Sequence, residues 1–271
     1  MHLTSSVGRR GANDRTDVRR VQRALAELAQ LTADDSVDSG PADGVALPGG
    51  STIGAIARFQ TVHCHTRRPD GRIDPGGRTL RTLGALLSIY RAAKSGEITF
   101  PTDASATSPY HGPGAGMRQF RWRRSRGKRS HAGCDLYHPV GTVVRAVAPG
   151  RVVRIAPYYA QTDHIVVEHV LKDGTRFTVV YGETKPGSAR VKVGDTVERG
   201  EYLAGVGQLI LRGKPFKHSM IHFELFTGLR SGRLSRGRLT TARDRLNGSR
   251  SFVRRGDLAD PTPLLRLAPL P

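Results

Sequence analysis

Apolar side chains recur every three or four positions from Val18 through Val21, Leu25 and Leu28 to Leu31. That spacing lines them along one face of a helix, and Thr16-Asp17 ahead of it supplies a start signal. A stretch rich in Gly, Pro, Ser and Asp follows at 35–52. A second helix is expected from Thr52, carrying Ile53, Ile56 and Phe59. The turn PDGRIDPGG at 69–77 leads to a third helix with Leu80, Leu83, Leu87 and Tyr90. Three short helices within about 75 residues make a unit at the low end of domain sizes.

The period then vanishes. Residues 95–117, SGEITFPTDASATSPYHGPGAGM, read as a linker or an arm laid over the next domain. From about residue 130 the period becomes two, in GTVVRAVAPGRVVRI, HIVVEHV, TRFTVVYGE and VKVGDTVERGEYLAGVG. The last strand is expected at 220–227. In HSMIHFELF, residues 218–226, alternation puts His218, Met220, His222 and Glu224 on one face and Ser219, Ile221, Phe223 and Leu225 on the other. Residues 228–271, closing on DPTPLLRLAPLP, read as irregular coil with the last leucines docked. The expected fold class is α+β multidomain. A small all-α three-helix module occupies 1–94, an arm 95–117, and an antiparallel all-β domain with its tail 118–271.

Composition agrees with a β-rich main body: 37% hydrophobic residues, only 6% aromatic, and 32 glycines. No apolar run approaches the length of a membrane span. The N-terminus MHLTSSVGRRGANDRTD lacks the apolar core of an ordinary signal peptide. Cys64 and Cys134 fall in different expected domains and make no disulfide framework. The net charge of +20 favours polyanions: nucleic acid, anionic lipid or anionic wall polymer. The densest run, RQFRWRRSRGKR at 118–129, interleaves Phe120 and Trp122 with arginines. A solvated charged loop is its plainer reading, and no specific nucleic-acid partner is expected.

His131-Ala-Gly133-Cys134-Asp135 opens the β region, and His222 lies on the last strand. A histidine and an aspartate at this spacing can reach one ion. Two histidines, one carboxylate and an open water position have the form of a catalytic zinc site, whereas structural sites are usually closed by four protein ligands. The alternative is three scattered polar residues. Cys134, on an extended segment, points away from the Asp135 face and reads as a small core residue.

HAGCDLYHPVGTVVRAVAPGRVVRI, DHIVVEH, TVVYGE, VKVGDTVERGEYLAGVGQ and MIHFELF, in this order over 131–226, resemble the lysostaphin-type zinc endopeptidases. The resemblance implies zinc held by His131, Asp135 and His222, and cleavage of peptide bonds in peptidoglycan stems or cross-bridges. It also implies two further histidines handling protons and the oxyanion. Both are replaced here. Tyr-x-His reads Tyr181-Gly182-Glu183, and the first histidine of His-x-His reads Met220. Glu183 is therefore expected to be the proton-transfer group. Tyr181, Met220, His169 and His218 are expected to line the substrate groove, with the 158–163 loop shaping it. His218 lies four residues, roughly 13 Å, from His222 along a strand. The alternative is a pseudoenzyme that keeps zinc and binds peptidoglycan or regulates another hydrolase. The VKVGDTVERGEYLAGV stretch also resembles the hairpins of biotinyl and lipoyl carriers, but no lysine occupies a hairpin tip.

The N-terminal segment resembles a small three-helix peptidoglycan-binding module. Val21-Gln22, Asp43-Gly44, Ser51-Thr52, Phe59-Gln60, Asp70-Gly71 and Thr79 to Leu83 carry the likeness. Together the two resemblances imply a zinc peptidase tethered to peptidoglycan, acting at the bacterial wall or periplasm. Without a signal peptide, export by a secretion apparatus or a phage is expected. The corresponding roles are an injected antibacterial effector with a cognate immunity protein, or a phage lytic protein.

Overall fold

Asp14, rather than Thr16, starts the first helix: its carboxylate accepts from the Thr16 and Asp17 amides. α1 runs Arg15–Thr32 and buries Val18, Val21, Leu25, Leu28 and Leu31. α2 (Ser51–Val62) and α3 (Arg78–Lys94) follow, with β1 (Val7–Gly8) paired to β2 (Arg72–Ile73). The computed structural model describes residues 1–124, 126, 129–210, 213, 218–235 and 254–271, with Arg129 in its backbone alone. Positions 125, 127 and 128 of the basic run, and 236–253 of the expected irregular tail, lie outside the described residues. Two units result, Met1–Arg91 and Ala92–Pro271.

Asp17, expected as part of the start signal, does something else. It is fully buried and accepts from the Thr4 and Ser5 amides at 2.9 and 2.8 Å, from Thr4 Oγ1 at 2.7 Å and from Arg20 at 2.8 Å. Burial works against its charge, but these donors outweigh it and hold the carboxyl well below the usual range. A depressed folded-state pKa stabilises above the unfolded value, about 3.9. The contribution is therefore full above about pH 4 and is lost as pH falls below it. Asp17→Asn is expected to cost about 2 kcal/mol and to flatten the acid limb of thermal unfolding for this unit.

The helical unit repeats one device. Gln22 Nε2 donates to Asp43 Oδ1 (2.7 Å) and Thr52 Oγ1 (3.0 Å), while its Oε1 accepts from the Gly44 amide (2.9 Å). Gln60 Nε2 donates to Asp70 Oδ1 (2.6 Å) and Thr79 Oγ1 (3.2 Å), and its Oε1 accepts from the Gly71 amide (2.9 Å). In both copies the aspartate precedes the threonine by nine positions. Each buried amide thus ties one helix to the following turn and to the start of the next helix.

In the second unit the strands are β3 (Arg123–Arg124), β4 (Arg129–Ser130), β5 (Cys134–Tyr137), β6 (Val143–Arg145), β7 (Gly150–Pro157), β8 (Asp163–Val170), β9 (Arg176–Thr184), β10 (Thr196–Val197), β11 (Tyr202–Gly205), β12 (Gly207–Leu209), β13 (His218–Phe226) and β14 (Leu258–Ala259). The main antiparallel sheet runs β10-β7-β8-β9-β13-β12, with β5 and β14 also paired to β13. β13 is the hub, held by β9 on one side and by β5 on the other. One sheet face packs Val152, Ile165, Val167, Val179, Phe223 and Leu225 into the core.

One expectation changes here. The tail is not irregular throughout: β14 pairs Ala259 with Leu225, and α4 (Thr262–Leu267) buries Leu264 and Leu265. The 95–117 segment packs within the β unit, through Thr99 N to Val147 O and Thr107 N to Tyr137 O. Among the described residues no helix is long and apolar enough to cross a membrane.

Candidate active site

β13 places His222 between two register partners, Asp135 on β5 and Gly182 on β9. Residues directly opposite share a face, so Asp135 and His222 meet. His131, just before β5, completes a buried triad whose ligand atoms lie within 4.8 Å of one another. Asp135 Oδ1 stands 3.0 Å from His131 Nε2 and 2.8 Å from His222 Nδ1, and the two nitrogens are 3.1 Å apart. Gly133 permits this. A Cβ there would collide with the Phe223 carbonyl oxygen and lie 2.8 Å from its carbon, so only glycine lets β5 close on β13.

The far nitrogen of each imidazole is committed. His131 Nδ1–H donates to the Gln119 carbonyl at 2.9 Å, and His222 Nε2–H to Glu224 Oε1 at 2.9 Å. In the neutral rings that leaves Nε2 of His131 and Nδ1 of His222 as lone-pair acceptors, facing an acceptor oxygen. Three acceptors aimed at one point require a proton or a cation between them. Without a metal the proton goes to His222: burial would depress it, but its bonds to Asp135 and Glu224 raise it to about 9. Asp135 is held far below its usual range, and His131 is pushed down chiefly by burial. Nitrogen, nitrogen and carboxylate oxygen fit zinc, and the hydrogen-bonded far nitrogens are the outer partners such ligands take.

The outer partners continue. Glu224 is fully buried, and Arg254 clamps it, Nη2 at 2.7 Å from Oε1 and Nε at 2.9 Å from Oε2. On the opposite flank, Arg124 Nη2 donates to Asp135 Oδ2 at 2.9 Å. Tyr158 stacks near His222 at a ring distance of 6.1 Å and covers Gly182, where a Cβ would lie 2.7 Å from its ring.

Glu183 reaches this face through a bulge. Asp163 pairs with Thr184 but His164 with Gly182, so Glu183 is the extra residue, at φ +66. Its side chain is buried beside Asp135, His222 and Arg124, with Oε2 lacking any hydrogen-bond partner. Burial first, then the Asp135 charge, pushes its carboxyl up to about 8.

The groove expectations are partly corrected. Tyr181 pairs opposite Phe223, on the far face of the sheet from the triad, and accepts from the Val147 amide at 2.9 Å. Simple alternation would join it to Glu183; the bulge separates them. His169 also lies in that core, 3.0 Å from the Tyr181 hydroxyl and 2.7 Å from the Ala148 carbonyl. His164 is the histidine on the site face, in the row Ala156, His164, Gly182, His222, Asp135. It is fully buried against Tyr158, and burial pulls it down to about 4. Met220 is buried between Tyr137 and Gly207. His218 remains four positions from His222, half-buried against Tyr137, and β13 has no bulge to bring it closer. Cys134 faces away from Asp135 and is buried.

Arg124 and Arg254 went unselected in the sequence, whereas Tyr158 opens the 158–163 loop expected to shape the groove. Arg124 lay inside the basic run and Arg254 among many tail arginines, so neither stood out.

Residues 129–232 match the sequence profile of Peptidase family M23, and the β unit carries an M23 peptidase domain. This is a family of zinc metallopeptidases, lysostaphin-like peptidoglycan hydrolases, and His131, Asp135 and His222 are a possible site for that metal. Similar solved structures include a zinc-containing peptidase from Vibrio cholerae, at 22% identity over 48% of this chain and 36% of that one, TM-score 0.36. Another is a putative M23 peptidase from Pseudomonas aeruginosa, at 18% identity, 72% and 66% coverage and TM-score 0.37. The catalytic domain of lysostaphin from Staphylococcus simulans matches at 18% identity, 65% and 97% coverage and TM-score 0.34. The chain thus spans about a third of the Vibrio protein and 66% of the Pseudomonas one. No curated protein matches.

Proposed function

We propose that this protein is a zinc metalloendopeptidase that hydrolyses peptide cross-links or stem peptides of bacterial peptidoglycan. The observation that carries this reading is the convergence of three acceptors from His131, Asp135 and His222 beside a buried Glu183 with an unpaired oxygen. When bound, zinc supplies Lewis acidity and acidifies water. Glu183 takes the proton from the attacking water and later delivers it to the leaving nitrogen. Positive charge at the triad offsets Asp135 and favours the ionised carboxylate this role needs. Glu224 and Arg254 fix the orientation of His222, and Gln119 that of His131.

Purified peptidoglycan digested with the zinc-loaded protein is expected to yield new peptide termini by mass spectrometry. Glu183→Gln is expected to keep its zinc and lose about 10²–10⁴-fold in turnover, while His131→Ala loses the metal. Uncut wall beside one zinc per chain would overturn the enzyme reading. It would favour a pseudoenzyme that binds peptidoglycan or regulates another hydrolase, a reading motivated by Met220, which cannot move a proton.

The helical unit is proposed to hold peptidoglycan, raising the effective substrate concentration at the β unit; this rests on its sequence likeness. The basic surface fits anionic wall polymers, with binding that weakens in salt. Delivery by a secretion apparatus or a phage is part of the proposal. An injected effector further requires an immunity protein. Growth arrest on directing the protein to the periplasm, relieved by a neighbouring gene product, would support the effector role. Tolerance there would refute it.

A further inference from the structure

The basic run at 118–129 is the motif that zinc binding leaves unexplained, and one of its residues enters the site. β3 and β4 pair Arg124 with Arg129 in a hairpin directly before His131. Arg124 Nη2 is spent on Asp135 Oδ2 and on the Met117 carbonyl at 2.7 Å. Its Nε–H is buried and has no partner among the described residues. From the β9 side of His222, Glu183 Oε2 is likewise buried and unpaired. Orphaned buried polar atoms are costly and rare. Here a donor and a carboxyl oxygen flank one metal site, the pairing that a peptide carbonyl under attack by water would satisfy. The place where the family resemblance implies a second histidine holds Met220, which offers no donor.

We propose that Arg124 is a catalytic residue, donating from its guanidinium to the scissile carbonyl oxygen as that oxygen gains charge. This rests on the hydrolase reading. The oxygen of water bonds to the carbonyl carbon while its proton passes to Glu183. The carbonyl π pair moves onto the oxygen, where Arg124 receives it. The pair returns, the C–N bond breaks, and the proton held by Glu183 goes to the leaving nitrogen. One water is consumed, and one carboxylic acid and one amine are formed.

The test uses the full zinc-loaded chain with Arg124→Gln, Arg124→Lys and, as a charge control, the exposed neighbour Arg123→Gln. Zinc affinity is measured by chelator competition, and kcat and KM on a cross-linked muropeptide. Binding of inorganic phosphate, a tetrahedral oxyanion, gives a readout independent of turnover. At saturating zinc, Arg124→Gln is expected to lower kcat by about 10²–10³-fold with little change in KM, beyond any zinc affinity lost with its bond to Asp135 Oδ2, and to weaken phosphate binding at least tenfold. Arg124→Lys is expected to recover part of both, and Arg123→Gln to change neither. Unchanged kcat and phosphate binding would overturn the proposal, as would a loss that simply tracks zinc affinity, which would make Arg124 a support for Asp135. If the wild type cuts nothing, the hydrolase reading fails by itself. Phosphate binding that survives Arg124→Gln then overturns the anion contact too, and binding lost selectively in that variant supports it.

Discussion

Arg254→Ala is expected to destabilise the β unit by about 3–5 kcal/mol, because it strands the Glu224 carboxylate in a fully buried site. Glu224 would keep a single charged neighbour, His222, and the ring would be drawn between its carboxylate and the metal. Zinc affinity is therefore expected to fall about 10–100-fold. Thermal unfolding with and without zinc, together with chelator competition, measures both effects. Glu224→Gln in the Arg254→Ala background should cost less than the two single changes added together, since both remove one interaction. Full additivity, or an Arg254→Ala variant with wild-type stability, would mean that the clamp on Glu224 contributes nothing.

Gly133→Ala is expected to remove tight zinc binding and to cost about 3 kcal/mol or more. The new methyl meets the backbone of Phe223, which cannot rotate away, so β5 must retreat from β13. That retreat separates Asp135 from its register partner His222 and carries His131 with it. Gly182→Ala provides the contrast: its methyl meets side-chain atoms rather than backbone, the Tyr158 ring at 2.7 Å and His222 Cβ at 3.3 Å. Zinc content after gel filtration separates the two. Equal zinc retention in both variants would show that the close approach of β5 does not set the triad.

The three helices and the switch to alternating strands were legible because burial imposes its period directly on the apolar residues, as in Val18 to Leu31 or Ile221, Phe223 and Leu225. His131, Asp135 and His222 were legible as a constellation because alternation along single strands preserves their face. Tyr181 and His169 were misplaced for two physical reasons. A bulge at Glu183 resets the alternation, and whether His169 faces the core or the site depends on register across strands, which a single sequence does not display. Arg124 and Arg254 were obscured by composition. Both stand among 43 basic side chains, and what sets them apart is the partners the fold brings to them. Asp17 shows the same limit: its place in the first helical turn suggests a cap, whereas its partners come from Thr4 and Ser5.

The salt link between Glu224 and Arg254 spans 30 positions, and its far end lies outside the 129–232 segment that matches the family. A fragment cut to those limits would retain His131, Asp135 and His222 together with Glu183, but would lose Arg124 and the Gln119 carbonyl that orients His131. It would lack the guanidinium that neutralises Glu224, the β14 strand that edges β13, and the Leu264–Leu265 anchor. The smallest self-sufficient form of this β unit is therefore longer than its family signature at both ends. Inactivity of a fragment drawn to that signature would report its missing ends and would not test the metal triad.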